Sequence, residues 1–365
     1  MRISLADVLR QLRAEGLAPD GVEETVRAAL RARPADDDVP WYVRVATGFA
    51  AWIASLLLIA YIGPSRMVQS GASALVVGAI MVGAAFFLRR QATADFAQHF
   101  AVATSFAGQV LMMGGVFAVT QSPAATGAVG VLVSAALVRL MPDTFHRFLS
   151  TVAGCAAATV TVLAAHVPGG YQLVVLAVVA LGAYVWRAGL RTREPALAAA
   201  LTPAGYGLVV ALFGMLLLAS VGNAMFGGLA REAGMADAAG ARWLTTLAIT
   251  GALAWLALAI FDEHGTPRGS GDVFVTVVGV LLLGVVTLDS PGITAGAAVL
   301  ALGFDRRNPV LVGLAALFLL VFGSVYYYSL ELTLLQKSAV LVGSGVLCLA
   351  ARALVPSTPP SGEAA

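Results

Sequence analysis

The sequence predicts an all-α membrane protein with about twelve transmembrane helices, and three observations lead to that class. First, 59% of the 365 residues are hydrophobic and only 12% are charged, whereas about 25% of the residues in a soluble domain are charged. Second, the mean hydropathy is +0.88, and the apolar residues fall in runs that fit a hydrocarbon core about 30 Å thick. Third, the runs lack the period-2 alternation of a β-barrel. The composition excludes a soluble enzyme, a disordered protein and a disulfide-rich secreted domain.

Residues 1–42 are predicted to form a cytoplasmic amphipathic helical hairpin and a linker. Ser4 caps a first helix, and Gly16 follows as its stop. Asp20 and Glu23 have the spacing of a capping box for a second helix. The hairpin is either a docking element packed on the membrane domain or a module that binds a partner. The first apolar run begins too late, and is too long, for a secretory signal.

The predicted membrane domain covers residues 43–354, and residues 355–365 form a flexible tail. Its twelve apolar runs are 43–63, 70–88, 100–120, 123–140, 148–166, 170–188, 197–221, 243–261, 272–288, 291–304, 308–328 and 336–354. The tenth run is short for a full span, so it is tilted, lies in thinned bilayer or is re-entrant. Pro203 in the seventh run is a possible helix break.

The positive charges support twelve spans, because Lys and Arg concentrate in cytoplasmic loops. With twelve spans, 18 of the 22 Lys and Arg residues lie on one side. Without the tenth span, the later spans would have the opposite orientation, and Arg306 and Arg307 would lie on the opposite side of the membrane. We therefore keep the tenth span and predict that both termini are cytoplasmic. The net charge of +2 gives no reason to expect nucleic acid as a partner, whereas membrane lipid is an expected one.

The chain contains a possible internal duplication. Ser122-Pro123 and Ser290-Pro291 each open a Gly- and Ala-rich run, and they are 168 residues apart. Corresponding elements are six spans apart, so the halves, 43–188 and 197–354, would have the same orientation, as in some secondary transporters. The alternative is chance similarity, because small apolar residues align easily and Ser-Pro commonly starts helices.

Few polar residues lie at membrane depth, and Gln109 and Asp289 are the candidates for an intramembrane polar site. For Gln109 the alternative to a functional role is a hydrogen bond between helices. For Asp289 the alternative to a cation or proton site is capping of the tenth helix. The four His and two Cys residues lack metal-ligand spacing, and no nucleophile or phosphate-loop motif is present. We predict no metal, no cofactor and no catalytic residue. The many glycines predict close helix packing.

The most distinctive stretch is YYYSLELTLLQKS at residues 326–338. Its tyrosines, Tyr326, Tyr327 and Tyr328, fit an aromatic belt at the outer interface. Glu331 and Lys337 follow in a short external loop, where they are able to pair.

This stretch resembles the C-terminal signature of an uncharacterised bacterial inner-membrane family, catalogued as a domain of unknown function, the 4401 family. The upstream Asp305-Arg306-Arg307-Asn308 and Pro40-Trp41-Tyr42-Val43-Arg44 segments are also similar to that family. The resemblance implies a multi-pass protein of the bacterial inner membrane. It also implies a small membrane-anchored protein partner rather than a reaction, and it carries over no functional residue.

Two functional hypotheses follow. In the first, the chain acts in a membrane complex, and Tyr326, Tyr327, Tyr328, Glu331 and Lys337 bind the partner. In the second, the chain is a secondary transporter of two six-helix halves with a polar cavity between them near Gln109. A membrane enzyme would need a titratable cluster that the sequence does not display.

Overall fold

A computed structural model of the chain describes residues 41–62, 68–92, 94–187, 195–232 and 242–329, together with seven single residues between 335 and 349. Within these residues the protein is all-helical. The helices are α1 (Trp41–Ile62), α2 (Gly71–Gln91), α3 (Asp95–Thr120), α4 (Pro123–Leu140), α5 (Thr144–Ala164), α6 (Gly170–Arg187), α7 (Pro195–Glu232), α8 (Arg242–Glu263), α9 (Gly271–Val286), α10 (Pro291–Asp305) and α11 (Pro309–Ser329). The predicted N-terminal hairpin, up to residue 40, and the C-terminal tail lie outside the described residues.

Each of the first eleven predicted spans corresponds to one helix. Eight of them, α2 to α8 and α11, are long and apolar enough to cross a membrane. The described apolar part of α1 and the whole of α9 and α10 are shorter. Most of the predicted twelfth span, 336–354, lies outside the described residues. The count of twelve and the internal duplication therefore remain predictions.

Helix α10 runs from one end of the bundle to the other, although it has only 15 residues. Near its start, the Thr246 hydroxyl of α8 donates to the Leu288 carbonyl over 2.6 Å. At its other end, Asp305 meets a charged group that also holds Glu263, the last residue of α8. Helices α8 and α10 are therefore parallel, and full crossing of the membrane by the tenth run remains a prediction. At about 1.5 Å per residue α10 measures roughly 22 Å, less than the hydrocarbon thickness.

Helices α2 and α3 pack with their backbones in close approach at Gly78 and Gly108. A Cβ atom on Gly78 would lie 2.6 Å from the Gly108 carbonyl oxygen, and one on Gly108 would lie 2.7 Å from the Gly78 carbonyl oxygen. Only glycine fits such a crossing, as expected where small residues bring membrane helices together. Gly83, five residues further along α2, faces open space. The predicted role of glycine in packing is confirmed at Gly78 and does not extend to Gly83.

Helix α7 passes through Pro203 without a break, so the predicted break in the seventh span is wrong. Membrane helices tolerate proline because neighbouring groups and local adjustments satisfy the freed backbone carbonyls. Beyond Pro203, α7 contributes much of the core, and the fully buried Phe213 ring stacks on Phe318 of α11 at 4.0 Å. Because α7 lies at the centre of the bundle, other helices pack against it at both of its ends.

The helix ends fall into two groups. At one end, the start of α5 packs on α7, since a Cβ on Gly207 would lie 2.8 Å from the Phe148 carbonyl oxygen. The same part of α7 meets Trp186 of α6, which would lie 2.9 Å from a Cβ on Gly205. At the opposite end, the Tyr171 hydroxyl of α6 donates to the Met215 carbonyl of α7 over 2.7 Å. The charged contacts described below all belong to the first end.

Candidate functional site

Helices α6, α8 and α10 end together in a charged group that we call the helix-end cluster, formed by Arg187, Glu263, Asp305 and Arg306. Nη2 of Arg187 donates to Oε1 of Glu263 over 2.8 Å, and its Nη1 lies 3.8 Å from Oδ2 of Asp305. Nε of Arg306 lies 3.1 Å from Oδ2 of Asp305, and its Nη2 lies 3.8 Å from Oε2 of Glu263. Two cations and two carboxylates therefore alternate around one site.

The helix-end cluster is largely withdrawn from solvent. The side chains of Asp305 and Arg187 are only 5% and 10% exposed, and those of Arg306 and Glu263 are 23% and 29% exposed. A buried charge is costly unless it is paired. Because α10 is short, its charged end lies deeper in the bundle than the end of a longer helix would. Removing one member leaves an opposite charge uncompensated, so the four side chains act as a unit.

Within the described residues, the cluster has more unsatisfied hydrogen-bond donors than acceptors. Four buried nitrogens find no hydrogen-bonded acceptor there: Nη1 of Arg187, Nε and Nη2 of Arg306, and the indole Nε1 of Trp186. One buried carboxylate oxygen, Oδ2 of Asp305, has no aligned donor. The guanidinium nitrogens are near carboxylates but lack hydrogen-bond geometry. Each of these three guanidinium nitrogens therefore lies in an ion pair with Asp305 or Glu263.

Aromatic and amide side chains surround the cluster. Trp186 packs edge-on against Tyr206 of α7 at 5.1 Å, and Arg187 lies 6.0 Å from the Trp255 ring centroid. Asn308 donates through Nδ2 to the Tyr206 hydroxyl over 2.7 Å, while its Oδ1 accepts N–H groups at the start of α11. Asn308 therefore caps α11 and ties it to α7 beside the cluster.

A narrow apolar groove opens next to the cluster between α6 and α8. Arg187 and Trp186 line one end of the groove, and the buried side chains Val209 and Val299 of α7 and α10 form part of its floor. Trp255, 51% exposed, forms part of its rim. Its cavity volume is about 80 Å³. Such a space suits a slender chain rather than a bulky solute.

A second polar group lies between α3 and α5, where His146 is fully buried. Its Nε2 lies 2.8 Å from the Ser105 hydroxyl, and its Nδ1 lies 3.0 Å from the Ser150 hydroxyl. The ring stacks on Phe106 at 4.7 Å. Asp143 caps α5 by accepting the His146 N–H, and it also pairs with Arg89 of α2 at 2.9 Å. Both ring nitrogens are thus matched by hydroxyls.

Gln109 is buried in α3 and donates through Nε2 to the Ser105 carbonyl of the same helix over 3.3 Å. This bond is within one helix, unlike the bond between helices that the sequence suggested. Gln109 also lines a cavity of about 350 Å³ together with Thr126 of α4 and Ala157 of α5. The cavity belongs to the first half of the chain and not to a boundary between halves.

Asp289 does not cap α10. Ser290 is the N-cap residue, Pro291 follows it, and no side chain makes a cap hydrogen bond there. Asp289 itself is exposed. The buried polar contact at this point joins the hydroxyls of Thr287 and Thr294 at 2.8 Å. Capping of α10 by Asp289 is therefore wrong, whereas Ser122 does cap α4 by accepting the Ala125 N–H.

The three tyrosines of the distinctive stretch end α11. Tyr328 is 80% exposed and meets Tyr327 edge-on at 5.4 Å. Tyr326 donates to the Val286 carbonyl at the end of α9 over 3.5 Å. Glu331 and Lys337 lie outside the described residues, so their pairing remains a prediction. The structure does not bring the tyrosines to Gln109, which lies on a helix of the other half.

Sequence reasoning missed the helix-end cluster as a site. The distribution of arginines among the loops predicts topology alone, because it does not tell which helix ends meet. The signal was present in the sequence, because three predicted spans of the same direction each end in a charged residue. The spacing of the histidines indicates only that they do not bind a metal, and the serine partners of His146 lie 4 and 41 residues away in the sequence. Among the described residues, no three His, Cys, Asp or Glu side chains form a group fit for a metal.

The all-helical fold and its long apolar helices define a polytopic membrane protein. Residues 40–357 match the family described as domain of unknown function (DUF4401). Because the match covers most of the chain, the protein belongs to this family, which confirms the resemblance seen in its C-terminal motif. Neither a curated protein nor a solved structure matches the chain.

Proposed function

We propose that this protein is the multi-pass subunit of a membrane complex and that a small membrane-anchored protein joins it at the tyrosine end of α11. In this proposal the chain itself catalyses no reaction. The observation that carries the proposal is the exposure of Tyr328, 80%, beside a neighbouring tyrosine in the family-specific segment. A large aromatic side chain at a membrane interface offers both an apolar face and a hydroxyl to a partner.

The surroundings of Tyr328 support a docking role. Helix α9, which Tyr326 contacts, exposes Val285 and Val286, each 68% exposed, toward the same end. The tyrosines and these valines together offer an aromatic and aliphatic surface that a single membrane-anchored helix is able to cover. Glu331 and Lys337 follow along the chain in the segment that the sequence predicts to be a short external loop.

We place the protein in a bacterial inner membrane with both termini in the cytoplasm. The support is the distribution of cations, because both charged contact groups lie at one end of the bundle and belong to the predicted cytoplasmic side. The tyrosine end then faces outward. A partner anchored in the outer leaflet or by a single span would reach it.

Site-specific photocrosslinking tests the proposal. A photoreactive phenylalanine analogue replaces Tyr328 in cells, and the same analogue replaces Tyr61 as a control. Tyr61 is also highly exposed, at 75%, and ends α1 on the same predicted side. We expect one discrete adduct with a small membrane protein from position 328 and none from position 61. Identical adduct patterns from both positions would contradict the assignment.

The second candidate function is a secondary transporter, and the one observation that favours transport is a cavity within the first half of the chain rather than between two six-helix halves. The carboxamide of Gln109 lines the cavity of about 350 Å³ among α3, α4 and α5. If solute passes there, Gln109→Cys in a background without Cys155 and Cys348 should react with a membrane-impermeant thiol reagent. No reaction from either side of the membrane would count against a transport path at Gln109.

A further inference from the structure

We propose that the cavity among α3, α4 and α5 binds a neutral, membrane-soluble alcohol or phenol, with Gln109 and Ser134 as its hydrogen-bonding partners. The proposal assigns a ligand class to the cavity of about 350 Å³ described above. It is independent of the proposed complex, because it uses the middle of the bundle and not the tyrosine end of α11. It requires binding from the bilayer and no passage of solute across it, so it also differs from the transporter alternative.

The cavity is built into the packing of the three helices. Helices α4 and α5 are in close contact, since a Cβ on Gly127 would lie 2.7 Å from the Ala157 carbonyl oxygen. Helix α3 meets α5 where the Ser105 hydroxyl lies 2.8 Å from Nε2 of His146, and Phe106 stacks on the same ring. Beyond this contact, α3 leaves a space beside the α4–α5 pair, and that space is the cavity.

The position of the cavity makes the bilayer the source of its ligand. Gln109 lies close to the middle of α3, and Gly130, which also lines the cavity, lies close to the middle of α4. Val110 of α3 and Val160 of α5 belong to the lining and are 64% and 46% exposed, so the cavity opens on the surface of the bundle. Since that surface is at mid-membrane depth, a ligand enters from the hydrocarbon region.

The lining favours a compact, uncharged and mainly apolar molecule. Along α3 it runs from Phe106 to Met113, which is roughly 10 Å at about 1.5 Å per residue. The volume of about 350 Å³ is within the range of small-molecule sites. None of the described residues that line the cavity has an ionisable side chain. Because a charge without a partner is costly at this depth, a neutral ligand is expected.

Two polar atoms in this apolar lining are without a hydrogen-bonding partner among the described residues. Gln109 donates through Nε2 to the Ser105 carbonyl, but its Oε1 accepts no hydrogen bond there, and the Ser134 hydroxyl makes none. Gln109 and Ser134 are only 7% and 5% exposed and both line the cavity, yet neither oxygen is fully enclosed. Polar atoms at buried positions are normally hydrogen-bonded, so a ligand that supplies their partners is expected.

A hydroxyl group on the ligand matches both atoms. Its O–H donates to Oε1 of Gln109, and its oxygen accepts the O–H of Ser134. A ketone or an ether has no donor for Gln109, and a hydrocarbon has neither donor nor acceptor. An alcohol or a phenol therefore satisfies the polar atoms, while its apolar part lies against the valines and Met113 of the lining.

Photolabelling of the full chain in proteoliposomes tests the proposal. The probe is a trifluoromethyl phenyl diazirine with a meta-hydroxyl group, and the same diazirine without the hydroxyl is its control. Hexylphenol, decanol and hexylbenzene compete at equal concentrations in the membrane. We expect saturable labelling of the cavity lining by the hydroxyl probe alone, and we expect hexylphenol or decanol to block it at least about tenfold more effectively than hexylbenzene. Comparison of hexylphenol with decanol distinguishes a ring-bearing ligand from a straight-chain one.

Variants separate ligand binding from packing. Ser134→Ala removes no hydrogen bond between described residues, so a role in packing alone predicts no change, whereas the proposal predicts about tenfold weaker block by hexylphenol. Gln109→Leu should have the same effect. Ser324→Ala, which removes a hydroxyl on α11, is the control and should behave as the wild type does. Ala153→Phe fills the cavity and should abolish saturable labelling, and Ala156→Phe, at an exposed position of the same helix, should not.

Three results would overturn the proposal. The first is equal block of the wild type by hexylphenol and hexylbenzene, because the cavity would then have no preference for a hydroxyl. The second is unchanged block by hexylphenol in both Ser134→Ala and Gln109→Leu. The third is labelling that maps outside α3, α4 and α5, or that persists in Ala153→Phe, whose folding is checked by gel filtration and circular dichroism. Failure of the crosslinking at Tyr328 would contradict the proposed complex and leave these outcomes unaffected.

Discussion

Arg187 and Glu263 lie 76 residues apart in the sequence, yet Nη2 of Arg187 and Oε1 of Glu263 are 2.8 Å apart. This contact joins the last residue of α6 to the last residue of α8. It therefore shows that α6 and α8 run in the same direction, with a return helix between them. The position of Asp305 in the same cluster extends the argument to α10. Three parallel helices end at one level, which is the geometry that places a charged group beside an apolar groove.

Neutralising Glu263 should destabilise the protein, because it leaves the largely buried Arg187 without its closest carboxylate. Glu263→Gln should lower the free energy of unfolding by about 1–3 kcal/mol, less than for a fully buried pair because Glu263 is partly exposed. Asp262→Asn is the control, because Asp262 pairs with the exposed Arg268, and solvent screening of an exposed pair should leave stability unchanged. Thermal unfolding in detergent measures both. Equal effects of the two changes would show that the cluster is not a structural unit.

Leucine at Gly78 should separate α2 from α3, because the added side chain meets the Gly108 carbonyl and the backbone of the next turn. Overpacking of this kind costs about 1–3 kcal/mol. Gly83→Leu on the same helix faces open space and is the matched control. Gel filtration after heating compares the fractions that remain monodisperse. If Gly83→Leu lost as much folded protein as Gly78→Leu, the close crossing would not be the cause.

Much of this architecture could be predicted from the sequence, because membrane helices need long apolar runs and charges avoid the bilayer. The runs located α1 to α11, and the distribution of arginines correctly grouped Arg187 with Arg306. The predictions that were wrong concerned features that depend on which residues lie close together in three dimensions. Pro203 was a possible break in a helix that is in fact continuous, and Asp289 was predicted to cap a helix whose N-cap is Ser290, one residue later.

The candidate sites also divide into features that the sequence predicts and features that only the structure shows. Hydropathy and loop charge say nothing about which helix ends meet, so the helix-end cluster needed the structure. Ser105 and Ser150 look like ordinary small residues in apolar runs, and only the packing of α3 on α5 shows that both contact His146. Gln109 was selected correctly as a buried polar residue, but its cavity lies within one half of the chain.

If Tyr326–Ser338 forms the partner site, changes in it should remove the partner and leave the membrane domain intact. Glu331→Ala, Lys337→Ala and Tyr328→Ala should each reduce recovery of the partner in a pull-down about tenfold or more. Removing an anchor residue from an interface often costs about 1.4 kcal/mol or more of binding free energy, which is a tenfold loss of affinity. Tyr61→Ala controls for loss of an exposed tyrosine at the same level. Membrane insertion, measured by fractionation, should not change. Unaltered recovery in all three variants would refute the assignment.

Removing the His146 ring should destabilise the packing of α3 on α5. His146→Ala loses the contacts with two serine hydroxyls and the stacking on Phe106, and it opens a cavity at a fully buried position. We expect a loss of about 2–4 kcal/mol. His264→Ala, at an exposed position near the end of α8, should change stability by about 0.5 kcal/mol or less. Similar melting temperatures for the two variants would contradict a structural role for the buried ring.

The proposed orientation predicts which cysteines a membrane-impermeant thiol reagent reaches in intact cells. In a background of Cys155→Ala and Cys348→Ala, Asp289→Cys should react from outside and Arg268→Cys only after the membrane is opened. Both positions are exposed and lie at opposite ends of the bundle, because Asp289 follows α9, whereas Arg268 follows α8 beside the helix-end cluster. The reverse pattern would invert the topology and place the charged end outside, against the preference of cations for the cytoplasmic side. Reaction of both cysteines from one side would contradict the full crossing of the membrane by α9, which separates the two positions.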